Sequence, residues 1–190
     1  MKKVCIFGGT FNPPHIGHLI MANEVFHALE LDEIRFMPNA IPPHKEAVDL
    51  CTSDQRKQMV QLAIEPFPYF SLEPIELIRG GRSYTYDTLV ELQSKEAETQ
   101  FSFLIGGDMI ASLESWYQID ELVKLVRLVG VKRPGYEAKT NYPVLQIEVP
   151  QIDLSSTTLR KRLAIHQDVS LLIPESVQDY IRQEKLYESR

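Results

Sequence analysis

Short apolar runs rich in β-branched and aromatic residues alternate along this chain with stretches whose apolar residues recur at helical spacing. Residues 4–8 (VCIFG) read as a first strand closing on glycine. After a turn, Leu19, Ala22, Val25, Phe26 and Leu29 fall on one face of a 3.6-residue period and predict a helix. Residues 34–38 (IRFMP) form a second short strand, and Ser53 suits the N-cap of a helix reaching Ile64. Residues 69–72 read as a strand, Thr85 as the cap of a helix over TYDTLVELQSKEA, and FSFLIG (101–106) as a buried strand ending in glycine. Residues 122–128 mark the end of a helix running into the strand RLVGV. SSTTLRKRLA and PESVQDYIRQEKL predict two closing helices, the second with Pro174 at its first helical position.

Strand–helix alternation of this kind predicts an α/β fold, a Rossmann-like three-layer arrangement with a mostly parallel sheet and helices on both faces. No repeat, low-complexity tract or linker interrupts it. Residues 1–190 therefore read as one domain, with a helical C-terminal segment from about 155. The segments around 38–53 and 132–143 are long and Pro-rich or polar, which makes them candidate substrate loops.

Composition narrows the function classes. The 190 residues are 44% hydrophobic and 24% charged, ordinary for a soluble globular chain able to bury a core. A formal net charge of −6 argues against a nucleic-acid partner, which needs a basic footprint, but not against a small anion held by a few local cations. Cys5 and Cys51 show no metal or redox spacing, and Cys5 sits in an apolar strand. The N-terminal apolar run is too short for a signal peptide or a membrane span, so a cytoplasmic protein with no membrane partner is expected.

The densest chemistry lies in residues 8–18, GGTFNPPHIGH. The glycines follow a strand and let backbone amides approach a ligand. Pro14 keeps Pro13 extended, so the helix starts no earlier than Pro14. That puts His18 in its first turn and His15 at or just before it, beside unpaired amides at the positive end of the helix, where phosphate binds. The segment is not a P-loop, lacking Gly-Lys-Ser/Thr, nor the dinucleotide fingerprint GxGxxG. A metal site would need a third ligand, and no further His or Cys stands nearby.

At these residues the chain resembles the HxGH nucleotidyltransferase superfamily. MPNAIPPHK (37–45), SYTYDTL (83–89), LIGGDM (104–109), ESWY (114–117), VGVKRPG (129–135), SSTTLR (155–160) and the ending LLIPESVQDYIRQEKLYES follow in the order seen in bacterial nicotinate-nucleotide adenylyltransferases. The resemblance covers nearly the whole chain and makes it a single nucleotidyltransferase domain. It implies an enzyme joining ATP and nicotinate mononucleotide into nicotinate adenine dinucleotide and pyrophosphate, with Mg2+ accompanying ATP and no fixed protein metal ligands.

The resemblance also implies roles. His15, His18 and Arg160 would be catalytic, contacting the ATP phosphates. Gly8, Gly9, Thr10, Phe11, Gly106, Asp108, Arg133, Ser155, Ser156 and Thr157 would complete the ATP site. For Asp108, ribose contact, help in holding magnesium and a helix N-cap remain open. Asn39, Lys45, Tyr84, Thr85, Trp116 and Tyr117 would bind nicotinate mononucleotide, with Trp116 stacking on the pyridine ring and the helix start at Thr85 meeting its carboxylate. From the hexamer SSTTLR alone, a capped surface helix with Arg160 in solvent would be preferred; beside HIGH the phosphate role prevails.

Two departures stand out. Asn12 occupies the position where the family usually has aspartate, and Ser115 replaces a residue often basic in relatives. A sibling enzyme using nicotinamide mononucleotide and a non-catalytic nucleotide-binding module remain the alternatives. Exposed apolar positions leave room for a homodimer without identifying an interface.

Overall fold

The computed structural model describes residues 1–41, 51–132, 140–150 and 152–188. Its strands are β1 (Lys2–Gly9), β2 (Glu33–Pro38), β3 (Phe70–Leu72), β4 (Thr99–Ile105), β5 (Arg127–Lys132) and β6 (Val144–Glu148). They form one sheet in the order β3-β2-β1-β4-β5-β6, and every neighbouring pair is parallel. Parallel strands need crossovers, and helices supply those that link the first five strands. In chain order the helices are α1 (Ile16–Ala28), α2 (Ser53–Ile64), α3 (Ile75–Arg79), α4 (Thr85–Lys95), α5 (Gly107–Ile110), α6 (Ile119–Leu125), α7 (Ser156–Ala164) and α8 (Glu175–Gln183), the last two following β6.

Alternation along β1 shows why the sheet is covered twice. Cys5 and Phe7 join one buried cluster with Ala22, Val25, Met59, Val60, Leu159 and Val177, from α1, α2, α7 and α8. Val4 and Ile6 point the other way, into a cluster with Leu89, Leu92, Ile119 and Leu122 from α4 and α6. The three-layer expectation therefore holds, and the sheet is wholly parallel.

Several boundaries move by one residue. Thr52, not Ser53, caps α2: its hydroxyl accepts from Gln55 N–H at 3.2 Å, and Gln55 Oε1 accepts from Thr52 N–H at 2.9 Å. This reciprocal pair satisfies two orphan donors; with Ser53 as the cap the returning side chain would be Arg56, which has no acceptor to offer. Thr85 is the first residue of α4, with Tyr84 at the cap, and Pro174 is the cap of α8 rather than its first residue. The strand VLQIE was not expected. β6 lies at the sheet edge with a mixed burial pattern, so it lacks the apolar run that marked β4.

The order of strands places a crevice at the carboxyl end of the sheet. The chain leaves β1 toward β2 and β3 on one side and returns to β4 on the other, so the direction of winding reverses between β1 and β4. Loops at the carboxyl ends of those two strands diverge and leave a crevice there. GGTFNPPHIGH opens from one lip of it and LIGGDM from the other.

Candidate active site

The glycines ending β1 make room first for aromatic rings. A Cβ on Gly8 would stand 2.8 Å from the Phe103 ring, and one on Gly9 2.8 Å from the Phe11 ring. Phe11 has φ of 49°, in the left-handed region. That conformation turns its ring into the core, 5.4 Å from Phe7 and 5.6 Å from Phe36, centroid to centroid. Phe11 as a whole is 2% exposed, so its ring belongs to the core.

On this aromatic floor stand the two histidines. His15 is the N-cap residue of α1 and His18 lies in its first turn. Their rings stack at 3.7 Å, and the edge of Phe11 meets His18 at 5.1 Å. His15 N–H donates to His18 Nδ1 at 3.2 Å, so neutral His18 carries its proton on Nε2, free to donate. Burial lowers the His15 pKa to about 4; burial, then the neighbouring His15, holds His18 well below its ordinary value. Both rings are therefore neutral at pH 7 in the free protein, and an adjacent phosphate would favour their charged forms.

This pair makes the fold acid-sensitive in a definite window. An unfolded His15 takes up a proton near 6.5, whereas the folded one resists until about pH 4. Stability should fall as pH drops from 6.5 toward 4, by roughly 3 kcal/mol from His15, and this group should add no further loss below that. Urea midpoints at pH 7 and 4.5 check it: the wild type should lose more than His15→Gln, and equal losses would refute the assignment.

The loop between β1 and α1 is held by its carbonyls. Arg160 Nη1 donates to Asn12 C=O at 2.8 Å, and Ser156 Oγ donates to Pro13 C=O at 2.9 Å. Ser155 caps α7, accepting from Thr158 N–H at 3.1 Å, and Thr157 Oγ1 accepts from Arg160 Nη2 at 3.2 Å. SSTTLR is thus docked against the HxGH loop. Asn12 itself is 8% exposed; its Oδ1 accepts from Tyr187 Oη at 2.5 Å and from Cys51 Sγ at 2.9 Å. An amide oxygen serves both donors, which explains how asparagine fits here in physical terms.

Around the carboxyl end of β2 a second group gathers. Asn39 N–H donates to Gly9 C=O at 3.0 Å and its Nδ2 to Thr10 Oγ1 at 3.3 Å, joining the two loops. Ser83 Oγ accepts from Ala40 N–H at 3.0 Å, which seats the start of α4, with Tyr84 and Thr85, beside Asn39. Beneath it Glu76, 3% exposed, accepts from Thr88 Oγ1 at 2.9 Å, and burial raises its pKa. Tyr117, half-exposed, packs on Tyr84 at 4.9 Å. Trp116 is edge-on to Phe103 at 6.2 Å, the same ring that covers Gly8.

Among the described residues, two buried side-chain polar atoms outside the α1 capping box have no hydrogen-bond partner: Asn39 Oδ1 and Trp116 Nε1. Buried polar groups are nearly always paired, so both atoms stand out. Gly106 caps α5 at the end of β4. Asp108 lies in that helix, but its side chain falls outside the described set, and Lys45 and Arg133 lie outside the described residues. No helix of the described residues is long and apolar enough to cross a membrane.

Residue-by-residue reading missed Arg56, Cys51 and Tyr187. Arg56 had a signal: it shares a helix face with Met59, Val60 and Ala63, all buried, where a lone arginine is out of place. Tyr187 had none, being 175 residues from the Asn12 it bonds.

The cytidylyltransferase-like family model matches residues 6–162. A Bacillus cytotoxicus protein named probable nicotinate-nucleotide adenylyltransferase is 52% identical over 189 residues, covering all of both chains. One of the same name from Lactiplantibacillus plantarum is 51% identical, covering 98% of this chain and 89% of that one. In fold, the chain matches a Plasmodium falciparum nicotinic acid mononucleotide adenylyltransferase complexed with NaAD, at a TM-score of 0.82 and 21% identity, over 98% of each. With the HxGH pair at the crevice and half its residues shared along the full length, the chain belongs to the cytidylyltransferase-like family and, within it, to the nicotinate-nucleotide adenylyltransferases.

Proposed function

We propose that the protein transfers the adenylyl group of ATP to the phosphate of nicotinate mononucleotide, giving nicotinate adenine dinucleotide and pyrophosphate. A phosphate oxygen of the mononucleotide forms a bond to the α-phosphorus while the bond from that phosphorus to the bridging oxygen of the β-phosphate breaks. The electron pair leaves with pyrophosphate. The attacking oxygen is already anionic at neutral pH, so the protein needs to orient two polyanions and stabilise the charge that moves onto the leaving group.

One observation carries this: His15, His18, Ser156 and Arg160 are brought from opposite ends of the chain onto the loop after β1. Neutral His18 donates from Nε2 toward a phosphate oxygen, Arg160 adds a fixed cation, and the free amides at the start of α7 add further donors. Thr10 and the backbone of Gly9 and Phe11 line the same loop. Magnesium enters with the substrate as MgATP, offsetting triphosphate charge. Among the described residues no three His, Cys, Asp or Glu side chains converge to hold a metal ion of the protein's own.

For the mononucleotide, Asn39 Oδ1 offers an acceptor to a hydroxyl and Trp116 an indole donor, both now unpartnered. The α4 N-terminus at Thr85 offers amides to the nicotinate carboxylate, with Tyr84 and Tyr117 as a paired aromatic wall. Free cysteines and use of ATP support a cytoplasmic setting.

The test is pyrophosphate release from MgATP with nicotinate or nicotinamide mononucleotide supplied separately. The acid should be used in preference by at least about tenfold in kcat/KM, as one differential charged contact supplies. Equal use would keep adenylyl transfer and overturn carboxylate recognition; release with neither would overturn the proposed reaction.

A further inference from the structure

One buried cation has no place in the reaction just described. Arg56, in α2, is 5% exposed. Its Nη1 donates to Thr10 C=O at 3.0 Å, and its Nη2 donates to Asn39 C=O at 2.6 Å, Ala40 C=O at 3.3 Å and Ser53 Oγ at 3.2 Å. Among the described residues no carboxylate pairs with it. Among the described residues its partners are carbonyl and hydroxyl dipoles, which do not repay the desolvation of a buried guanidinium as a counter-charge would. Its placement therefore calls for an explanation other than stability.

The geometry supplies one. Thr10 belongs to the loop after β1, on the expected ATP side, and Asn39 and Ala40 belong to the loop after β2, on the expected mononucleotide side. One planar guanidinium spans both. A trans peptide points its N–H opposite to its C=O, so holding Thr10 C=O toward α2 turns the Phe11 N–H away from α2. At Asn39 the effect is sharper. The carbonyl goes to Arg56, the N–H to Gly9 and Nδ2 to Thr10, which leaves Oδ1 as the single unpartnered polar atom of that residue.

We propose that Arg56 is a positioning residue that locks the β1 and β2 loops into one unit, so that the sites for the two substrates are set together. This rests on the proposed reaction for which loop takes which substrate, but the clamp itself does not. A guanidinium suits the task because its fork reaches several acceptors in one plane, where an ammonium is a point donor.

Arg56→Lys keeps the charge and loses the fork. In the substrate-free protein, hydrogen exchange at the Asn39 amide, bonded to Gly9 across the two loops, should speed up by at least about tenfold relative to wild type. In the assay, KM for ATP and KM for nicotinate mononucleotide should rise together, each by roughly tenfold or more, since small misplacements of binding groups are expensive. Val60→Ala, a core change in the same helix, is the control for general loosening of α2. It should lower the thermal midpoint without the paired rise in KM. If Arg56→Lys is poorly folded, Arg56→Ala assayed with and without added guanidinium decides: rescue by guanidinium, and not by equal sodium chloride, supports the clamp.

Unchanged exchange at Asn39 in Arg56→Lys overturns the clamp, as does a rise in only one KM or the same paired rise in Val60→Ala. Absence of turnover in the wild type would overturn the proposed reaction instead, while the exchange measurement still decides the clamp.

Discussion

Replacing His18 with alanine is expected to lower kcat by about 10²–10³-fold while leaving KM for nicotinate mononucleotide within about threefold of wild type, the pattern of a lost donor aimed at transition-state charge. The direction follows from the tautomer. Because His15 N–H occupies His18 Nδ1, the proton of neutral His18 sits on Nε2. A phosphate oxygen gains charge as the bond to the leaving group breaks, so a donor fixed there strengthens as the reaction proceeds. The ring is held in place by the stacked His15 at 3.7 Å and by the edges of Phe11 and Phe7 at 5.1 and 5.9 Å, so little reorganisation is needed. Two milder variants separate the donor from the packing. Glutamine reaches toward the Nε2 position and should retain more activity than asparagine, whose amide stops near Nδ1. Steady-state kinetics on the three variants check this: equal losses in kcat and in mononucleotide affinity, or asparagine outperforming glutamine, would refute the role.

What could be read from the sequence follows the range of the interaction. β1, α1 and β4 were legible because their burial repeats over a few residues: Val4 and Ile6 against Cys5 and Phe7, or Leu19, Ala22 and Val25 on one helix face. The start of α1 at Ile16 was legible because proline geometry and a glycine turn are local constraints. β6 was not, since an edge strand with one shielded side carries no apolar run, and the five-residue α3 and four-residue α5 are too short to show a period.

The candidate site divides the same way. That His15 and His18 flank a helix start could be argued from spacing; that their rings stack, and which nitrogen bears the proton, depends on a cap geometry no pattern states. Gly8 and Gly9 invited a ligand-facing explanation, yet the atoms filling their missing side chains are Phe103 and Phe11. Asn12 read as the loss of a charge. In three dimensions its Oδ1 takes hydrogen bonds from Tyr187 and Cys51, contacts spanning 175 and 39 residues that only the fold brings together. Long-range partners of this kind, Arg56 included, are set by the way helices α2 and α8 pack beside the crevice, and local sequence does not encode that packing.

Arg160→Ala should lose activity on a similar scale, about 10²–10³-fold in kcat/KM for ATP, because one side chain performs two tasks. Its Nη1 holds the Asn12 carbonyl and its Nη2 the Thr157 hydroxyl, which leaves the remaining donors of a fixed cation for the triphosphate. The two tasks can be separated. Ser156→Ala removes a neighbouring anchor, the hydrogen bond to Pro13, without removing charge. If holding the loop were the whole contribution of Arg160, Ser156→Ala should cause a comparable loss, and adding salt should change neither variant relative to wild type. If charge on the leaving group dominates, Ser156→Ala should cost no more than about tenfold, the worth of one neutral hydrogen bond. Arg160→Lys should then recover part of the loss, since it restores the cation without the fork. Product inhibition gives the most direct reading. Pyrophosphate is the group on which the charge accumulates, so its inhibition constant should rise by at least about tenfold in Arg160→Ala, the loss expected of a charged hydrogen bond, and stay near wild type in Ser156→Ala. An unchanged inhibition constant in Arg160→Ala would reduce Arg160 to a structural tie between α7 and the HxGH loop.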